Sequence, residues 1–234
     1  MNKLLILTFN LVVSTLLFSG EAEKYFPNNG PLHSFGEIEE GLQEGTWNFY
    51  YRDGQLREVT NWRGGKEEGE AKFFYTNGKL KLEGQFRDGN RDGFWTFYSR
   101  DGTLRDKGNF VSGQLEGLFE DFYESGGPRS KGKHSSDLKE GVWTFFFENG
   151  VKEQEGIYVQ GLRNGSWTFY TETGNTRSKG TYEDDLENGY FEFFHPNGKL
   201  EGKGLFKNGI REGVWEIYDS DGRLRIKRDY KPKE

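Results

Sequence analysis

After residue 44, large rings and glycines return every 24 residues, without insertion or deletion, to the end of the chain. Counted from its first glycine, each repeat opens at Gly45, Gly69, Gly93, Gly117, Gly141, Gly165, Gly189 or Gly213. Position 3 is Trp47, Trp95, Trp143, Trp167 and Trp215, with Ala71, Phe119 and Phe191 in the remaining repeats. Positions 6 and 18 hold a ring in every repeat, from Tyr50 and Trp62 to Tyr218 and Tyr230. Position 10 is glycine throughout (Gly54, Gly78, Gly102, Gly126, Gly150, Gly174, Gly198, Gly222), and it usually follows Asp or Asn. Asp-Gly or Asn-Gly between aromatic runs signals a hairpin with a two-residue type I′ turn. Each repeat is therefore expected to be one β-hairpin, with strands over positions 2–8 and 11–18. A fixed period of this length marks a repeat architecture. The expected fold class is all-β: an elongated single-sheet array of 24-residue hairpins, growing by about 10 Å per repeat.

A two-residue turn sets a register. It places Trp at position 3 opposite Gly at 16, and the ring at 18 opposite Gly at 1. A ring covering the backbone that a glycine leaves bare is a recognised cross-strand device. Gly45, Trp47, Gly54, Gly93, Trp95, Gly102, Gly141, Trp143, Gly165, Trp167, Gly213 and Trp215 are thus expected to be structural. This first face also takes position 5 and the frequent Leu at 12. On the second face, the ring at 6 is expected to meet position 13, which is Arg or Lys in six of eight repeats. Position 15 adds Lys107, Lys131, Lys179, Lys203 and Lys227. A basic, aromatic row would result, with Tyr98, Arg105, Phe122, Arg129, Tyr170 and Arg177 as candidate partner-binding residues. The position-24 acids (Glu68, Asp92, Glu116, Glu140, Glu212) are explained by turn chemistry.

The N-terminus departs from the pattern. Lys3 is followed by the apolar run from Leu4 to Phe18, short for a membrane span and suited to a signal peptide cut after Ala22. Retention of the same run as an anchor is the alternative. Tyr25, Phe26, Asn29-Gly30, Gly36 and Ile38 keep repeat register at positions 5, 6, 9–10, 16 and 18. The expected organisation is a signal peptide (1–22), a degenerate capping repeat (23–44), eight hairpin repeats (45–230) and a polar tail (231–234).

Composition narrows the function. The chain is 32% hydrophobic and 30% charged, which favours disorder, but 17% of it is aromatic and the net charge is only −6. That combination fits a folded array with an aromatic core. The absence of cysteine excludes disulfides, so an exported chain must rely on packing and sheet pairing. A pI near 5.4 argues against nucleic acid. His134 replaces a ring at position 18, while His33 and His195 stand apart from any Ser/His/Asp set or metal-ligand spacing. No enzyme activity, metal or cofactor is expected.

The unit G-x-W-x-F-Y-x-x-[DN]-G-x-L, seen best at Gly93–Tyr98 and Gly165–Tyr170, resembles the MORN repeat. More closely it is similar to the bacterial variant branch named YwqK-family antitoxins. The resemblance covers nearly all of residues 21–230. It departs where Trp stands at position 3, a glycine in the usual and slightly shorter unit. It implies an elongated antiparallel sheet acting as a scaffold or protein-binding module, sometimes with lipid. The antitoxin branch would imply a toxin partner. The expected function is an exported scaffold that binds a macromolecule, a protein first, with an immunity protein and an envelope carbohydrate or lipid binder as alternatives.

Overall fold

A computed structural model of the protein describes residues 5–6 and 19–231. Most of the expected signal segment, and residues 232–234 of the tail, lie outside the described residues. All regular structure within them is β-strand. In residues 1–114, strands Gly20–Tyr25, Leu32–Glu39, Leu42–Tyr50, Leu56–Arg63, Lys66–Phe74, Leu80–Arg87, Asn90–Tyr98 and Leu104–Val111 each pair antiparallel with the next. Leu5–Ile6 pairs in parallel with Ala22 and Glu23. Residues 115–234 repeat the scheme from the strand Gln114–Phe122 to Leu224–Tyr230. The all-β array of hairpins is as expected.

The turns are not. At positions 9–10 only the glycine has positive φ (Gly54, +86°), whereas a type I′ turn needs two such residues. The Gly54 amide donates to the Tyr51 carbonyl (2.9 Å), and the Tyr51 amide to the Gln55 carbonyl (2.8 Å). Three residues therefore form the loop: a type I turn closed by a left-handed glycine. A bulge follows, since Phe49 pairs with Glu58 but Tyr50 pairs with Leu56, leaving Arg57 unmatched. The longer loop and the bulge cancel, so positions 1–5 recover the expected register. The same step recurs in all eight repeats. The two-residue loops with consecutive positive φ lie between repeats, as at Asp88-Gly89 (50° and 79°) and Asn208-Gly209 (50° and 77°).

Trp47, Trp95, Trp143, Trp167 and Trp215 are at most 1% exposed. Each is paired in register with its own position 16, but its ring leans the other way, onto position 16 of the preceding repeat. A Cβ on Gly84 would lie 2.3 Å from the Trp95 ring, and one on Gly156 would lie 2.2 Å from Trp167. Each indole N–H donates to the carbonyl at position 17 of that preceding repeat: Trp95 to Gln85 (2.9 Å), Trp143 to Lys133 (2.9 Å), Trp215 to Leu205 (3.0 Å). This direction explains the exceptions at position 16. Thr60 is tolerated because the next repeat offers Ala71, its register partner. Among the described residues no position-3 ring leans onto Arg228. The rings form T-shaped pairs, such as Phe86–Trp95 at 5.0 Å and Phe206–Trp215 at 4.9 Å. Each adds about 0.5–1.5 kcal/mol beyond burial.

The opening glycines serve a different need. Gly93, Gly117, Gly141 and Gly213 have φ between +64° and +87°, and a Cβ there would meet open space. Their requirement is left-handed backbone, not room for the ring at 18. It arises because positions 1 and 2 form a bulge against the preceding repeat, as between Glu83 and Gln85.

The capping repeat slips by one residue. Its loop has an extra residue, so Tyr25 pairs with Leu32 as Tyr50 does with Leu56, and Tyr25 rather than Phe26 holds the position-6 place. Ala22, fully buried, faces Gly36 where Trp would stand. The expected cut after Ala22 therefore falls inside the strand Gly20–Tyr25.

Candidate functional site

The position-13 bulge decides what each face carries. Because residue 13 is unmatched, its side chain turns to the first face and lies over the ring at position 5. Arg105 is 5.8 Å from the Phe97 centroid, Arg177 is 5.8 Å from Phe169, and Arg57 is 5.5 Å from Phe49. In the fourth repeat position 5 is Asp121, and Arg129 forms a 2.6 Å ion pair with it. The expected row joining Tyr98 to Arg105, Phe122 to Arg129 and Tyr170 to Arg177 is thus corrected: the rings and the arginines occupy opposite faces. Leu at position 12 also changes side, pairing with the ring at 6.

On the second face the rings meet position 15. Lys131 lies 5.6 Å from Phe146, and Lys179 lies 5.6 Å from Phe194. Tyr98 donates to Glu83 (3.1 Å) and Tyr170 to Glu155 (2.6 Å). Burial, then this bond, pushes the Tyr170 hydroxyl up to about 12. Acids at position 4 neutralise the lysines: Lys179 pairs with Glu192 (2.9 Å), while Glu216 pairs with Lys203 (3.4 Å) and Lys227 (3.1 Å). Hydrogen bonds from Tyr218, Lys227 and Lys203 hold Glu216 down at about 2. The second face therefore carries charge of both signs.

A second feature of that face lies beside the loops between repeats. Positions 2, 17, 19 and 22 share the face, and in residues 115–234 many of them are apolar and exposed. Leu118 and Val142 are each 65% exposed and Tyr190 is 63% exposed, with Leu138, Leu162 and Ile210 in the adjoining row. Val142 pairs with Ile157, and Val159 with Leu162. These residues were passed over in the sequence because they occupy variable positions; the signal available was their apolar character at expected outward sites.

The first face carries a row of cations that sequence reasoning also missed. Position 23 lies opposite the ring at 18 of its own repeat and reaches over the rings of the next. Lys139 sits 4.5, 4.8 and 5.1 Å from Trp143, Phe145 and Tyr158. Arg91 lies 5.0 Å from Trp95, Arg163 lies 4.3 Å from Tyr182, and Arg211 lies 4.3 Å from Trp215. Burial lowers the pKa of Lys139 and Arg91. The position-24 acids accept turn amides of the following repeat, as Glu68 does from Asp88 (3.0 Å) and Glu140 from Gln160 (2.9 Å). Turn chemistry accounts for them, as expected.

Among the described residues no group of His, Cys, Asp and Glu is placed to hold a metal. No helix there is long and apolar enough to cross a membrane. His134 packs edge-on to Phe119 and Trp143, and His195 bonds the Tyr218 carbonyl (3.0 Å) in the place where Tyr51 and Tyr75 make the same link.

No curated protein matches the chain. Among solved structures it is similar to a chain in a crystal structure of TcdB2-TccC3-Cdc42, at 13% identity and a TM-score of 0.23. A Tc holotoxin pore of Photorhabdus luminescens matches at 10% identity and a TM-score of 0.19. Each alignment covers 89% of this chain, which spans only 13% and 15% of those chains. Scores this low establish neither a shared fold nor a shared function. The MORN repeat variant pattern matches residues 43–63, 67–88, 139–160, 163–184, 187–208 and 211–231. Those segments make up more than half of the chain, each running from one inter-repeat loop to the next, and the protein belongs to the MORN repeat variant family.

Proposed function

We propose that the chain is an exported, non-enzymatic repeat scaffold that binds a protein partner through the second sheet face. The observation that carries this reading is the exposed apolar row of residues 115–234, with Leu118, Val142 and Tyr190 more than 60% exposed. Isolated exposed apolar residues are ordinary, but a contiguous row of them marks an interaction surface. Phe122 and Tyr170 lie on the same face, separated from the row by position 4, and Tyr98 takes the equivalent place in residues 1–114. The position-13 arginines are not part of it. Export rests on the apolar run from Leu4 to Phe18.

The test replaces Val142 and Tyr190 together by aspartate; both side chains lie in solvent, so the fold is retained. Photo-crosslinking from position 118, which the double variant leaves free, is expected to yield one predominant protein in cells, with capture falling at least tenfold in that variant. Unchanged capture would sink this assignment of the face. A captured toxin would select the immunity role suggested by the antitoxin resemblance. N-terminal sequencing of the mature chain checks export, the expected first residue being Glu23.

A further inference from the structure

Four repeats receive a cation from position 23 of the repeat before them: Arg91 and Lys139 lie over rings at positions 3, 5 and 18, and Arg163 and Arg211 over those at 3 and 18. The seventh repeat keeps the rings and reverses the charge. Its position 3 is Phe191, its position 5 is Phe193 and its position 18 is Phe206. Phe191 stands 5.0 Å from Phe206 and 6.2 Å from Phe193. Position 23 of the sixth repeat, the residue that would reach over these rings, is Glu187. It pairs with Tyr182 just as Arg163 pairs with Tyr158 and Arg211 with Phe206, so it occupies the same place in the register. No lysine or arginine lies over these three rings among the described residues, and the Glu187 carboxylate has no ion pair there. Phe206 is half-buried, whereas Tyr182, beneath Arg163, is buried.

We propose that Phe191, Phe193, Phe206 and Glu187 form a receptor for a lysine or arginine side chain supplied by another protein. The other repeats show the chemistry within one chain: this ring set accepts an ammonium or guanidinium at 4.3–5.9 Å. Phenylalanine faces attract a cation through the ring quadrupole, and a carboxylate on the adjoining strand, with its Oε2 toward Gly209, adds charge pairing. Glu187 cannot supply the cation itself and would draw one in. The site is on the first face, so it does not depend on the apolar row of the second.

The test uses the full chain and three probes: N-acetyl-lysine methylamide, N-acetyl-arginine methylamide and the uncharged N-acetyl-norleucine methylamide. Ring-proton shifts are followed by NMR. Both cationic probes are expected to give saturable shifts at Phe191, Phe193 and Phe206, and the norleucine probe none. Glu187→Arg should fill the receptor from within, weakening binding at least tenfold and raising Tm. Lys139→Glu should create a second site, reported by Trp143, Phe145 and Tyr158. If Glu187→Arg does not fold, Glu187→Gln serves in its place, with severalfold weaker binding expected. Equal shifts with the norleucine probe, binding unchanged by both Glu187 variants, or no shift in the parent protein would each overturn the proposal. None of these results bears on the apolar row, which the crosslinking experiment tests separately.

Discussion

His134 occupies a place that the other repeats give to a neutral ring. Its Nδ1 is buried without a hydrogen-bond partner. Burial, and then the nearby Lys139, lower its pKa. The neutral form is therefore favoured in the folded state, and the unfolded chain binds the extra proton. The stability that depends on neutral His134 is complete above the unfolded pKa of 6.5 and is lost as pH falls below it. His134→Phe should stabilise the protein by about 1–3 kcal/mol by removing the orphaned polar atom. The gain should grow between pH 6.5 and 5 in urea titrations, and a gain independent of pH would contradict the assignment. The sequence showed that a ring belongs here. It could not show why glycine recurs at both 1 and 16, because room for a ring and left-handed backbone leave the same letter.

The hairpin is the element that the sequence reveals best. Its period, strands and Trp–Gly register were legible because a three-residue loop plus one bulge returns the same pairing as a two-residue loop. The same cancellation hid the bulge, and with it the side of the sheet that Arg105 and Arg177 occupy. The junctions were illegible for another reason: an indole donating to the position-17 carbonyl uses a main-chain group that no residue type encodes. The junction rule makes a prediction at Thr60 and Ala71. Ala71→Trp alone should destabilise by about 1–3 kcal/mol, since its ring would land on the Thr60 side chain. Thr60→Gly added to it should recover that loss and give a coupling energy of at least about 1 kcal/mol in a double-mutant cycle. Additive effects would show that Trp does not lean onto the preceding repeat.

At the scale of the whole molecule, stability should be a sum of repeats and junctions, as in other linear arrays. Within residues 115–234, deleting 141–164 joins Glu140 to Gly165 and restores every junction in phase. That variant should fold with a lower Tm and a smaller urea m-value, because less surface is buried. Deleting only 141–152 joins half-repeats and should abolish cooperative unfolding. Equal behaviour of the two deletions, followed by circular dichroism, would refute a phase-locked array. The indole links give the protein a further property. Trp47, Trp95, Trp143, Trp167 and Trp215 each tie their N–H to the repeat before them, while the Trp62 N–H has no acceptor. Deuterium exchange at those five indoles reads the opening of five separate seams, so a single spectrum would show where the sheet first comes apart.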